Sequence, residues 1–132
     1  MVIVDTSVWI DYLRGIQNKE TEYFDREIGR QRFGLTDVIL CETLQGVADG
    51  KAFARVLREL RKFRVFETGG EELAIDSARN FQELRLRGHT VRKTIDCLIA
   101  TFCLRRTYSL LHRDRHYDPF EKFLGLSVIH PA

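Results

Sequence analysis

Apolar positions in this chain fall into short unbroken runs that alternate with longer stretches of helical spacing. Val2-Ile3-Val4 is the first run, and its continuity predicts a strand buried on both faces. The run stops at Asp5, followed by Thr6 and Ser7, which suit a helix N-cap, and then Val8, Trp9, Ile10 and Leu13 recur at helical intervals. The unit reads as strand, acid, helix. It sets Asp5 at the carboxyl end of a central parallel strand, where open α/β sheets place their ligands. The plainer role for Asp5 is to cap the helix.

The pattern continues in the same sense. A loop at 15–19 leads to a helix over 20–30 with Tyr23, Phe24 and Ile28, and a short strand follows at 33–35. Thr36 or Asp37 starts a helix that runs to about Val47, and Ala48-Asp49-Gly50 breaks it. A helix over 51–63 carries the stripe Phe53, Val56, Leu57, Leu60 and Phe63. Val65-Phe66 is a strand, Gly69-Gly70 a turn, and 71–87 a helix ended by Gly88. Thr94 is the expected cap of a helix to Arg106, and strands are expected at 108–112 and 126–129. Strands alternating with helices predict an α/β fold with a parallel central sheet of about four to five strands, helices on both sides, in one domain over residues 1–132.

Acids recur at the junctions of these elements. Glu42 shares a helix face with Val38 and Ile39, where an uncompensated carboxylate would cost several kcal/mol or take up a proton. It reads either as a partly exposed residue at the edge of the stripe or as a charge held for a cation. Asp96 lies in the first turn of a strongly apolar helix with Ile95, Leu98, Ile99, Phe102 and Cys103, where the helix dipole alone offers a reason for it. Asp114 follows the strand ending at His112, again just past a carboxyl end, and Asp118 precedes Pro119 and suits the start of a last short helix. His112 and His116 lack Cys or His partners at zinc-like spacing. Several carboxylates converging on one sheet edge call for a hard cation, Mg²⁺ or Mn²⁺, able to activate water for phosphodiester hydrolysis. No glycine-rich phosphate loop is present.

Composition changes this picture little. Hydrophobic residues make up 44% and charged residues 30%, as in ordinary water-soluble proteins, and no apolar run is long enough to span a membrane. Cys41, Cys97 and Cys103 are odd in number, sit in apolar helical patterns and are expected to be buried reduced thiols of a cytoplasmic protein. The net charge of +2 is too small to imply nucleic acid by itself, but its distribution matters more. The cations at Lys51, Arg55, Arg58, Arg61, Lys62 and Arg64 read as a solvated helix face. Arg92, Lys93, Arg113 and Arg115 instead flank the proposed ligands, where cations suit an RNA backbone.

Taken together, Val2-Ile3-Val4-Asp5-Thr6-Ser7, the helix carrying Glu42, the segment 91–100 around Asp96 and the element His112-Arg113-Asp114 resemble a PIN-domain ribonuclease, and more narrowly a VapC-type toxin of a toxin–antitoxin pair. The resemblance covers essentially the whole chain. It implies a metal site of four acids, here Asp5, Glu42, Asp96 and Asp114, supported by the hydroxyl of Thr6 or Ser7. It also implies an RNA substrate such as tRNA or rRNA, a VapB-like antitoxin partner that meets part of the first-helix surface around Trp9, Tyr12 and Phe24, and a homodimer. Members commonly carry a further acid two residues after the fourth; here that residue is His116, with Asp118 as a substitute. Two other functions compete: a PIN fold that binds RNA or a partner without catalysis, and a metal-dependent phosphatase or phosphoryl-transfer protein. The second is disfavoured because Asp5-Thr6-Ser7 lacks the second acid of a DxD pair.

Overall fold

The computed structural model describes residues 1–132. Its elements are β1 (Val2–Val4), α1 (Thr6–Leu13), α2 (Lys19–Glu27), β2 (Phe33–Thr36), α3 (Asp37–Gln45), α4 (Gly50–Leu60), β3 (Arg64–Phe66), α5 (Gly70–Leu86), α6 (Thr94–Arg106), β4 (Ser109–Leu111), a 3₁₀ turn (Arg115–Tyr117) and α7 (Asp118–Leu124). The four strands are parallel and ordered β3-β2-β1-β4. The chain therefore winds outward from β1 through β2 to β3, then crosses back to lay β4 on the other side of β1. That reversal makes the carboxyl ends of β1 and β4 a switch point, where the flanking loops diverge and leave a crevice. Asp5 leaves one of these strands, and the loop leading to Asp114 leaves the other.

All three residues of β1 are buried, as an apolar run covered on both faces requires. One side of the sheet packs an aromatic group in which Trp9 and Phe24 meet edge to face at 5.2 Å, Phe24 and Phe33 at 4.9 Å, and Trp9 and Phe63 at 5.2 Å. Gly34 is required in β2: a Cβ there would stand 2.9 Å from the Arg64 carbonyl oxygen and 3.0 Å from the Phe66 ring. Helix α6 is buried over most of its circumference, including Cys97, Ile99, Ala100, Phe102 and Cys103, as expected of the helix enclosed between the sheet and its neighbours.

Several expectations are corrected. The stretch 126–129 is not a strand; it makes one bridge, Leu110 to Val128, in which the Leu110 amide donates to the Ser127 carbonyl and the Ile129 amide to the Leu110 carbonyl, and the pairing extends no further. The sheet thus has four strands. Cys41 is exposed on α3, whereas Cys97 and Cys103 are buried. Phe53 and Ile95 lie at the exposed ends of their stripes, at 42% and 37% exposure. Asp5 does cap α1, the plainer role read for it, accepting from the Ser7 amide in place of a cap at Thr6 or Ser7, whereas the cap position of α6 is Lys93, with Thr94 its first residue. Trp9 and Phe24 belong to the core, which leaves Tyr12 as the half-buried aromatic of the first-helix surface.

Candidate metal centre

The site is assembled from four places. Asp5 is only 4% exposed, yet fully partnered. Its Oδ2 accepts from the Ser7 amide at 3.0 Å and the Ser7 hydroxyl at 2.6 Å, and its Oδ1 accepts from the Tyr117 hydroxyl at 2.7 Å. The same Ser7 oxygen accepts from the Arg113 amide at 3.0 Å, so one hydroxyl joins the exits of β1 and β4. Asp5 is thus both the helix cap and a member of the cleft. Across the cleft, Glu42 accepts from the Thr6 hydroxyl at 2.8 Å. The two hydroxyl residues after Asp5 each steady a different acid.

Asp96 projects from the first turn of α6 and is 4% exposed. Its Oδ1 lies 3.5 Å from the Tyr117 hydroxyl, while Oδ2 is buried with no hydrogen-bond partner. Asp114 caps the 3₁₀ turn, its Oδ1 accepting from the His116 amide at 2.9 Å, and its own amide donates to His112 Nδ1 at 3.0 Å. Burial lowers the proton affinity of His112. With Nδ1 accepting, its proton sits on Nε2.

Donor atoms of Asp96, Asp114 and His116 all lie within 4.8 Å of one another. Asp5 and Glu42 are outside that triad but within its electrostatic reach. Burial, followed by the charges of Asp5 and Asp114, raises the Asp96 pKa from 3.8 to about 6, and Lys93 opposes the shift. Burial also raises Glu42, partly countered by the Thr6 hydrogen bond, with Asp5 and Asp114 adding to it. Asp118 is exposed at the start of α7, faces a surface groove with His89 and Lys122, and is not one of the clustered donors. A hard cation fits the rest. Crowded carboxylates holding protons above their ordinary range, one with an orphaned buried oxygen, form an oxygen-rich cleft short of positive charge.

Tyr117 is the residue that sequence reasoning did not single out. It is fully buried, and burial beside Asp5 and Asp96 holds its phenol protonated, so it remains a donor between the two acids. Its partner in the hydrogen bond is 112 positions away. The only signal was an aromatic next to a cluster of acids and histidines. Tyr117→Phe should keep the ring packing but leave Asp5 Oδ1 without its donor, at a cost of about 1–3 kcal/mol in urea unfolding without metal.

The cations divide into two groups. Arg92 and Arg115 line, with His116, Thr90 and Pro119, a surface groove of about 300 Å³ beside the triad. Lys93 is exposed at the α6 cap, close enough to favour ionised Glu42 and Asp96. The Arg113 side chain turns away from these to Asp11 at 3.8 Å and Glu20 at 3.9 Å.

A parallel β3-β2-β1-β4 sheet with acids gathered at its switch point is the architecture of a PIN domain. The profile of that family matches residues 2–122, and the chain belongs to it. It is 27% identical to the VapC ribonuclease Mb1587 of Mycobacterium bovis over 137 aligned positions, which cover 97% of each chain. Its fold superposes on a chain of the VapBC2 complex of Rickettsia felis with a TM-score of 0.76 at 12% identity, covering 98% of both chains. A toxin–antitoxin complex from Klebsiella pneumoniae gives 0.73 at 19% identity, covering 100% of this chain and 98% of the other. No helix is long and apolar enough to cross a membrane.

Proposed function

We propose that residues 1–132 act as one metal-dependent endoribonuclease unit, the toxin of a toxin–antitoxin pair, hydrolysing phosphodiester bonds of a structured RNA such as tRNA or rRNA. The observation that carries this reading is the unpartnered carboxylate oxygen of Asp96, buried in a cleft whose other acids raise its proton affinity. Asp96 and Asp114 would hold Mg²⁺ or Mn²⁺, with Asp5 and Glu42 contributing negative charge from the adjoining positions. Bound there, the ion supplies an activated water and neutralises charge developing on the attacked phosphate. Ser7 and Tyr117 orient Asp5, and Thr6 orients Glu42. Arg92 and Arg115 are suited to hold the RNA backbone along their groove, and Lys93 adds a positive charge near Glu42 and Asp96. Arg113, paired with Asp11 and Glu20, serves better as a brace between α1, α2 and the β4 exit.

Partners follow from the resemblance to VapC proteins. A VapB-like antitoxin segment, on the first-helix surface around Tyr12, and a second copy of the chain are the expected partners; Leu86 at 85% exposure, Ile75 and Phe53 are apolar side chains left uncovered. Three free thiols suit a reducing cytoplasm. The test is RNA cleavage by the purified chain with Mg²⁺, with Mn²⁺ and with a chelator. Cleavage that requires the ion supports the proposal, whereas cleavage indifferent to chelation, or RNA binding without cleavage under every ion, refutes it.

A further inference from the structure

We propose that His116 is itself a metal ligand, its imidazole joining Asp96 and Asp114 in a one-nitrogen donor set that favours Mn²⁺ over Mg²⁺. The inference rests on the metal-dependent reading above and narrows it to a particular ion and a particular residue. Three polar atoms in and beside this cleft are buried and without a hydrogen-bond partner: Asp96 Oδ2, His116 Nδ1 and His112 Nε2. Of their residues, Asp96 and His116 form with Asp114 the cluster whose donor atoms lie within 4.8 Å of one another. Orphaned buried polar atoms are costly, and two of them on residues of one donor cluster point to a shared third party.

The local geometry fits a ligand better than a simple ion pair. His116 Nδ1 lies 2.9 Å from Asp114 Oδ1 but is not aligned with it as a hydrogen bond. Two donors held side by side on an octahedral ion by bonds of about 2.1 Å stand about 3 Å apart, so the observed spacing is the bite of such a pair. The backbone fixes it. Asp114 caps the 3₁₀ turn and accepts from the His116 amide, while the buried Tyr117 anchors the next position. The two side chains, two residues apart, are thereby presented on the same side of the turn.

The choice of ion follows from donor chemistry. Mg²⁺ seeks oxygen and parts reluctantly with water, whereas an imidazole nitrogen suits ions further along the first transition row, of which Mn²⁺ is the one equally at ease with carboxylates. A neutral imidazole also adds no charge to a cleft where four acids already repel one another.

The test uses the full chain and reads the metal directly. Pulsed electron paramagnetic resonance of the Mn²⁺-loaded protein should show ¹⁴N modulation from a bound imidazole, and His116→Asp should abolish it. In calorimetric titrations, the Mn²⁺-to-Mg²⁺ affinity ratio of the native chain should exceed that of His116→Asp by about tenfold or more. His116→Gln, which keeps bulk without a nitrogen ligand, should also lose the modulation. Mn²⁺ bound without ¹⁴N modulation, modulation that survives both substitutions, or an unchanged affinity ratio overturns the inference and leaves the nuclease reading standing. Failure of the native chain to bind either ion overturns both.

Discussion

Asp5→Asn is expected to reduce RNA cleavage by about a thousandfold or more while leaving RNA binding measurable. Asp5 is the best-anchored acid of the cleft, held by Ser7 and Tyr117 through both oxygens. Removing its charge weakens the field that attracts a cation without touching Arg92 or Arg115. Under the proposed function affinity for RNA rests on those cations, so a filter-binding assay without metal should show equal or tighter binding by the variant, since one repulsive charge is gone. Arg92→Ala should do the reverse. It should weaken binding, lower the slope of log affinity against log salt by about one, and lose less at high salt. Undiminished cleavage by Asp5→Asn would defeat the division between charge that binds and charge that reacts.

Asp96→Asn is expected to stabilise the metal-free protein above pH 6, by up to roughly 3 kcal/mol. The sign follows from the direction of the shift. Asp96 titrates near 3.8 when exposed and at about 6 in the folded cleft, so between these values the folded state holds a proton that the unfolded state has released. Native stability contributed by that proton is present below the lower value and is lost as pH rises to about 6. Asparagine removes the penalty, and its advantage should vanish near pH 4. Thermal melts across pH 4 to 8, with and without Mn²⁺, check this. Stabilisation by the ion should shrink in the variant. A large loss of metal-free stability at neutral pH would instead make Asp96 a structural group.

The elements that placed the acids were legible because each is local. Val2 to Leu13 spells strand, acid and helix within one turn of chain, and the boundary at Thr36 reads as a cap that the structure retains. Glu42 and Asp96 stood out because a carboxylate on an apolar face contradicts the pattern around it. What stayed hidden depends on distant pairings. The run 126–129 has a strand's composition, but a strand needs pairing along its length, and this run meets the edge of β4 only at Leu110. Asp118 stood as the substitute for the acid that His116 replaces; the 3₁₀ turn instead brings His116 into the donor cluster and leaves Asp118 in solvent. Tyr117 was invisible for the same reason, since its partner lies at the opposite end of the sequence. Cys41 failed because helical periodicity marks a face but not which angle of that face the neighbouring helix covers.

The hydrogen bond between Tyr117 and Asp5, and the Ser7 link to Arg113, also fix when the cleft can exist during synthesis. Asp5, Glu42 and Asp96 leave the ribosome well before Asp114, His116 and Tyr117. Until residues 109–111 emerge, β1 also lacks its neighbour on one side. A nascent chain therefore carries three of the acids with neither the buried phenol that orients the first nor the turn that gathers the donors. The cleft is therefore completed only once β4 and the 3₁₀ turn have joined the elements that precede them in the chain.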